Sequence, residues 1–167
     1  MPVEISFLRH AIAAPRGSEG VSEEHRPLTE AGKRKMAQAA RGMGKLGLRF
    51  DALLSSPLLR AVQTAEIVQR CLPFKGDLEI EESMRPGGDL SELLISLRGR
   101  KEKSFLLVGH EPTLSSWIRS LLGCARSSSL ELKKGALCRL LLERAEPGAR
   151  TELIALLPPK VLRGLDR

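Results

Sequence analysis

Four basic side chains stand at points in the sequence where a phosphate group could be held and attacked. Arg9 and His10 end one apolar run. Arg60 lies a few residues after a second run, and His110 ends a third. A neutral imidazole is a good nucleophile near pH 7 and forms a labile phosphoramidate when it attacks phosphorus. Guanidinium groups offer planar, paired donors that match phosphate oxygens. These residue types predict a site that binds a phosphate group.

The four side chains can act together only if the fold brings them to one point. Apolar runs, with helix start and stop signals between them, predict an alternation of strands and helices. We expect strands at 3–8, 50–56, 77–82, 104–110, 135–143 and 150–158, and helices at 29–46, 56–72, 90–97 and 112–123. Ser56 is the expected N-cap of the second helix. The alternation predicts one domain over residues 1–167, a three-layer α/β/α sandwich with a mostly parallel central sheet and antiparallel pairing at its edge.

In open sheets of this kind, ligands bind outside the carboxyl ends of the parallel strands. Helix N-termini at the same edge attract anions through free N–H groups and the helix dipole. The strand that stops at Arg9 and His10 is explained if a phosphate lies just beyond it. We therefore expect the four basic residues to converge there, although about fifty residues separate each junction from the next.

The composition narrows the classes of partner. The formal net charge of +7 fits an anionic partner. Four Phe, one Trp and no Tyr offer few stacking platforms, so nucleic-acid binding is disfavoured. No apolar stretch approaches the length of a membrane span. The three cysteines form neither a metal-ligand pattern nor a disulfide framework and indicate free thiols in the cytoplasm. The sequence shows no cluster of carboxylates that would hold a metal ion, so we expect neither a metal nor another cofactor.

Five collinear stretches carry a family resemblance: LRHAIA (8–13), RPLTEAGKRKM (26–36), LSSPLLRAVQTAEI (54–67), RPGGDL (85–90) and LLVGHEPTLS (106–115). On these stretches the chain resembles the histidine phosphatase superfamily, which has the phosphoglycerate mutase-like fold. Within the superfamily it looks most like the small SixA-type phosphohistidine phosphatases. The Arg-His-Gly motif of the superfamily is Arg-His-Ala here, as it often is in the small branch.

The resemblance implies a role for each matching residue. His10 would be the nucleophile and would form a phosphohistidine intermediate that water hydrolyses. Arg9 and Arg60 would bind the phosphoryl oxygens, and His110, protonated against the phosphate, would be a third cation. Arg26 would border the pocket and orient the loop or the substrate, and its alternative role is a structural ion pair. No metal or other cofactor is then required.

The general acid is the least defined part of this site. Larger relatives protonate an alcohol leaving group with a Glu or Asp from an inserted loop, and the candidates here are Asp89, Glu111, Glu23 and Glu24. An imidazole leaving group, with an ordinary pKa near 6.5, asks less of an acid. The stretch 82–104 holds no large lid insertion, which leaves room for a phosphohistidine on another protein's surface. Both points favour a phosphatase of protein phosphohistidine.

Two alternatives stay open. The same residues could hydrolyse small phosphomonoesters, which a firm general acid in the pocket would favour. The chain could also be a phosphate-binding or phosphoprotein-binding module without turnover, although the presence of both His10 and His110 argues against that interpretation. The physiological substrate, the oligomeric state and the order of the tail 158–167 are left open by the sequence.

Overall fold

A six-stranded sheet forms the centre of the molecule in the computed structural model, which describes residues 1–74, 76–125, 127 and 129–167. The strands are β1 (Val3–Arg9), β2 (Ala52–Ser55), β3 (Leu78–Ile80), β4 (Ser104–Gly109), β5 (Leu137–Leu142) and β6 (Thr151–Leu157). Their order in the sheet is β3-β2-β4-β1-β5-β6. The four strands from β3 to β1 pair in parallel, whereas β5 pairs antiparallel with both β1 and β6. The predicted mixed sheet, with its antiparallel edge, is confirmed.

Helices cover both faces of this sheet. They are α1 (Glu30–Lys45), α2 (Leu59–Cys71), α3 (Leu90–Leu97), α4 (Thr113–Leu121) and α5 (Pro159–Gly164), with a single 3₁₀ turn at Glu82–Met84. Because successive strand residues point to opposite faces, β1 feeds two cores. Phe7 packs in the core under α3 and α4, and Leu8 packs in the core under α1, α2 and α5. The predicted three-layer α/β/α architecture is therefore confirmed.

The C-terminal tail, which the sequence left open, forms α5 and packs on α1. Leu162 of α5 is fully buried in the core beneath α1. Gly42 lets the two helices approach closely, because a Cβ atom at this position would collide with the Leu162 carbonyl group. Beyond α5, Asp166 accepts hydrogen bonds from Arg41 Nε at 2.8 Å and from Arg41 Nη2 at 2.6 Å. The tail thus closes one side of the helical layer.

The start of α2 differs from the prediction. The helix begins at Leu59 rather than at residue 56, and its N-cap, Leu58, makes no side-chain capping bond. The expectation that Ser56 is the N-cap is wrong. Its hydroxyl oxygen accepts from the Leu58 N–H at 3.3 Å and lies 2.8 Å from Nε2 of His110. Ser56 therefore forms a hydrogen bond with the histidine that follows the neighbouring strand β4.

No helix among the described residues is both long and apolar enough to cross a membrane.

Candidate active site

The ends of neighbouring strands bring the two histidines together. β1 and β4 are paired in parallel so that Arg9 lies opposite Gly109, and His10 and His110 are the next residues on each strand. Their ring centroids are 5.2 Å apart. β2 lies beside β4, and the helix that follows it carries Arg60. All four basic residues line one cavity of about 630 Å³ at this edge of the sheet.

His10 is held in the protonation state that a nucleophile needs. His10 is 5% exposed, and its Nδ1 lies 2.7 Å from the Ala11 carbonyl oxygen. A carbonyl oxygen only accepts, so Nδ1 carries the ring proton and Nε2 keeps its lone pair. Burial lowers the pKa of His10 to about 3, opposed by the bond to Ala11 and reinforced by nearby cations. His10 is therefore neutral at pH 7, with a free lone pair on Nε2.

His110 is also neutral in the free protein. It is 2% exposed, and burial, followed by the charges of Arg60 and Arg26, lowers its pKa to about 3. Nε2 is hydrogen-bonded to the Ser56 hydroxyl at 2.8 Å, and the buried Nδ1 has no partner among the described residues. The role of third cation that the resemblance implies thus requires a proton that comes with the bound anion. Without that proton, a ring whose Nε2 accepts from Ser56 still has an Nδ1–H to donate.

Two arginines share one carboxylate in the cavity. Arg60, only 2% exposed, donates from Nη1 to the Glu23 backbone oxygen at 2.8 Å, and its Nη2 lies 3.0 Å from Glu23 Oε1. Arg26 Nη2 donates to the same Oε1 at 2.9 Å, and Arg26 Nη1 donates to the Ala14 carbonyl oxygen at 2.8 Å. Arg26 therefore both borders the cavity and forms an ion pair, the two roles that the sequence left as alternatives. Glu23 is the anion that these guanidinium groups share in the free protein.

The four candidates for a general acid occupy different places. Of them, only Glu23 and Glu111 line the cavity. The hydrogen bond from Arg26 is the main cause that lowers the pKa of Glu23, which makes it a poor proton donor while the pair lasts. Asp89 lies outside the lining and caps α3 by accepting from the Ser91 N–H at 2.6 Å. Glu24, also outside the lining, pairs with Arg85 at 2.8 Å.

Both oxygens of Glu111 are used to hold neighbouring segments. Oε2 accepts from the Ser115 hydroxyl at 2.6 Å, and Oε1 accepts from the Leu132 N–H at 3.1 Å. Arg9 also binds this loop, because its Nη1 donates to the Leu132 carbonyl oxygen at 2.6 Å. Glu111 thus anchors the loop before β5 beside the cavity, and a proton-donating role would require it to release one of these bonds.

Sequence reasoning missed three residues at this site. Arg16 and Lys134 line the cavity with the predicted arginines. Burial, followed by the charges of Arg9 and Arg26, lowers the pKa of Lys134. The third is Ser56, whose place after β2 was interpreted only as a helix start. The available signal for Lys134 was its position just before the antiparallel strand β5, whose beginning meets the end of β1.

The two buried histidines predict an acid-sensitive fold. Their folded pKa values of about 3 lie below the ordinary value of 6.5, so the unfolded chain takes up protons first as the pH falls. Each histidine should then cost up to about 1.4 kcal/mol of stability per pH unit below about pH 6.5. Urea unfolding at several pH values between about 5 and 6.5 measures this slope above the range in which Glu23 also titrates.

The variant His10→Gln/His110→Gln should have a flatter stability curve over this range. His25→Gln, which removes an exposed histidine in the loop before α1, is the control. Equal slopes in the wild type and the double variant would show that the two rings do not carry the effect.

The sequence and the fold are both similar to those of known proteins. Residues 5–85 match the family profile of the histidine phosphatase superfamily (branch 1). An uncharacterized protein of Picosynechococcus sp. strain PCC 7002 is 34% identical in an alignment of 165 positions that covers 96% of this chain and 99% of that protein. The phosphohistidine phosphatase SixA of Escherichia coli strain K12 is 29% identical in an alignment of 122 positions that covers 71% of this chain and 74% of SixA. A solved structure of the protein histidine phosphatase SixA with tungstate superimposes with a TM-score of 0.81 at 24% identity, covering 96% of this chain and 99% of that chain.

Proposed function

Because this chain belongs to the histidine phosphatase superfamily and is a phosphatase, we propose that it hydrolyses phosphohistidine carried on another protein, through a phosphoryl group held on His10. The observation that supports this proposal most strongly is the orientation of His10. Its Nδ1 proton is engaged by the Ala11 carbonyl group, so the lone pair of Nε2 is available inside a cavity lined by arginines. That arrangement suits attack on phosphorus followed by hydrolysis.

The reaction would proceed in two balanced steps. In the first, Nε2 of His10 attacks phosphorus, a P–N bond forms to His10, and the P–N bond to the substrate imidazole breaks. The substrate imidazole takes a proton from solvent on its other ring nitrogen, so that it leaves as neutral imidazole with the bonding electrons on the former P–N nitrogen, while phosphorylated His10 keeps its proton on Nδ1. In the second step, water attacks phosphorus, the P–N bond to His10 breaks with its electrons on Nε2, and the phosphate departs with both protons of the water, which leaves His10 neutral. Arg9, Arg60 and Arg26 would neutralise the phosphoryl oxygens throughout.

The carboxylates of the cavity favour an imidazole over an alcohol as the leaving group. Glu23 is committed to two arginines, and both oxygens of Glu111 accept hydrogen bonds. An alkoxide needs a strong proton donor as it leaves, whereas imidazole, with an ordinary pKa near 6.5, needs much less help. Between the 3₁₀ turn and α3 the chain has only the short connection 85–89, so the described residues include no inserted lid there. A histidine on a protein surface could therefore reach the cavity.

The deciding experiment compares substrates under one set of conditions. Phosphate release is measured from a phosphohistidine protein, from free phosphohistidine and from a panel of small phosphate esters, with chelator present. We expect kcat/KM to be highest for the phosphohistidine protein. A clear preference for esters would show that small phosphomonoesters, and not phosphohistidine, are the substrates of this site. No phosphate release from any substrate would favour the non-catalytic binding module.

Thr64 supports the nucleophile through the backbone. Its hydroxyl oxygen accepts from the Ala11 N–H at 3.0 Å and donates to the Arg60 carbonyl oxygen at 2.7 Å. The peptide group of Ala11 is therefore fixed at its N–H, and the carbonyl group of the same residue holds the His10 ring. This chain of bonds makes Thr64 a positioning residue.

Thr64→Val should lower kcat by about tenfold or more with a smaller change in KM, because small misplacements of a reacting group are costly. It should also cost about 1–3 kcal/mol of stability, since the buried Ala11 N–H loses its acceptor. Thr64→Ser keeps the hydroxyl group and should restore most of kcat. Steady-state kinetics with free phosphohistidine and urea unfolding measure the two effects. A loss of stability with unchanged kcat in the valine variant would reduce Thr64 to a purely structural role.

A further inference from the structure

The segment that follows β1 separates the catalytic cavity from a second, much smaller depression of about 20 Å³. His10 and Ala13 line the cavity, whereas Ala11 and Ile12 line the depression. The depression lies between α1, α5 and the loop before β5, and Lys134 of that loop lines both hollows. The two hollows are thus adjacent.

Three basic side chains are among the described residues that line the depression. They are Lys35 from α1, Lys134 and Arg163 from α5. None of the three forms an ion pair with another described residue. No acidic residue is among the described residues that line the depression. The positive charge of this surface is therefore unbalanced, unlike that of Arg60 and Arg26, which share Glu23. We call Lys35, Lys134, Arg163 and the surface between them the basic groove.

The floor of the basic groove is apolar. Met36 is buried beneath it, and Ile12 and Pro159 are partly exposed on it. Apolar contacts between flanking cations suit the backbone and aliphatic carbons of a peptide with acidic side chains. None of the described lining residues is aromatic, so the groove lacks the stacking surfaces that single-stranded nucleic acids use.

The charge on Lys134 is costly in the free protein. Partial burial and the neighbouring arginines of the cavity lower its pKa, which shows that the lysine lies in a positive field. An anion bound in the groove would offset that repulsion while it also pairs with the other two cations. Binding of an acidic segment in the groove is therefore more favourable than its binding to three isolated surface cations would be.

We infer that the basic groove binds an acidic segment of the phosphorylated protein, next to the phosphohistidine that enters the catalytic cavity. This inference rests on the proposed function for the identity of the phosphorylated residue. The groove would select partners by charge and would raise the rate of productive encounter, and small phosphorylated compounds would not reach it.

Binding of non-hydrolysable peptides tests the groove without depending on turnover. Two short peptides carry a phosphoryl-triazole analogue of phosphohistidine, one flanked by Glu and Asp and the other by Gln and Asn. Fluorescence anisotropy gives Kd for the wild type, for Lys35→Glu/Arg163→Glu and for the matched control Arg49→Glu/Lys101→Glu. Arg49 and Lys101 precede β2 and β4, at the amino ends of these strands and away from the cavity. The control variant lowers the net charge by the same amount as the groove variant does.

We expect the wild type and the control variant to bind the acidic peptide about tenfold more tightly than the neutral one, with a preference that shrinks as salt rises. The groove variant should lose this preference and keep its affinity for the neutral peptide. The groove is refuted if the wild type has no preference, or if the groove and control variants lose it equally.

Turnover of a phosphohistidine peptide by the wild type is measured separately. Failure there, with the acidic preference intact, refutes the proposed substrate and not the groove.

Discussion

His10→Ala should lower phosphatase activity by about 10⁴-fold or more, because it removes the proposed nucleophile, and Nε2 of the other neutral imidazole in the cavity, His110, is hydrogen-bonded to Ser56. The substitution leaves the arginines of the cavity, so the protein should still bind inorganic phosphate or tungstate. Phosphate release from free phosphohistidine measures the first effect, and calorimetric titration with tungstate measures the second. His25→Ala, in the exposed loop before α1, should match the wild type in both.

A covalent intermediate gives this prediction a direct chemical readout. Brief reaction of the wild type with a radioactively labelled phosphohistidine protein, followed by quenching, should leave label that survives base and is lost in acid, as a phosphoramidate does. His10→Ala should carry no label. His110→Ala removes a histidine that lines the cavity and is not the proposed nucleophile, so this variant should be slower yet still labelled. Label that persists on His10→Ala would assign the nucleophile to another residue.

The convergence of the basic residues could be predicted because strand ends obey a simple geometry. Parallel strands that are neighbours in the sheet end at the same edge, so Arg9 and Gly109 lie opposite each other although a hundred residues of chain separate them. Apolar runs that stop at a charged residue mark those ends in the sequence. The fold class follows from the same alternation of runs, and it needs no knowledge of side-chain directions.

The geometry of parallel strand ends does not predict the contacts made by loops and by antiparallel strands. Glu23 lies in a long loop without hydrophobic periodicity, and ion pairs with Arg26 and Arg60 fix its path. Lys134 precedes an antiparallel strand, so it is the beginning of β5 that meets the site, whereas the rule for parallel strands covers only their carboxyl ends. Ser56 carries an ambiguous signal, since a serine before Pro57 is typical of a helix cap and equally able to bond to a histidine.

The shared carboxylate of Glu23 explains how so many cations coexist in the free protein. Arg26 and Arg60 are both buried, and like charges this close repel unless an anion lies between them. Glu23 is half exposed at the cavity and supplies that anion. Under the proposed function, an entering phosphoryl group would bring further negative charge to the same guanidinium groups, which are already held in place by Glu23 in the free protein.

Arg60→Met should separate stability from function in this protein. Arg60 is 2% exposed, and burial is the main cause that lowers its pKa, with repulsion from Arg26 next. Methionine keeps much of the length and apolar volume of the side chain without the buried charge. Glu23, which is half exposed, retains Arg26 as its partner, so its carboxylate is not left unpaired. We therefore expect the free energy of unfolding to stay the same or to rise by about 1 kcal/mol.

Activity should move in the opposite direction. Removing one preorganised donor for the phosphoryl oxygens should lower kcat/KM by about 10²- to 10³-fold. Arg100→Met is the matched control, because Arg100 forms a bidentate ion pair with Glu79 near the opposite edge of the sheet, at 2.6 and 2.9 Å. It should lose some stability and keep full activity. Urea unfolding and steady-state kinetics on both variants decide between the two roles. An Arg60→Met protein that unfolds readily would make the cation structural, whereas one that stays active would remove Arg60 from the transition state.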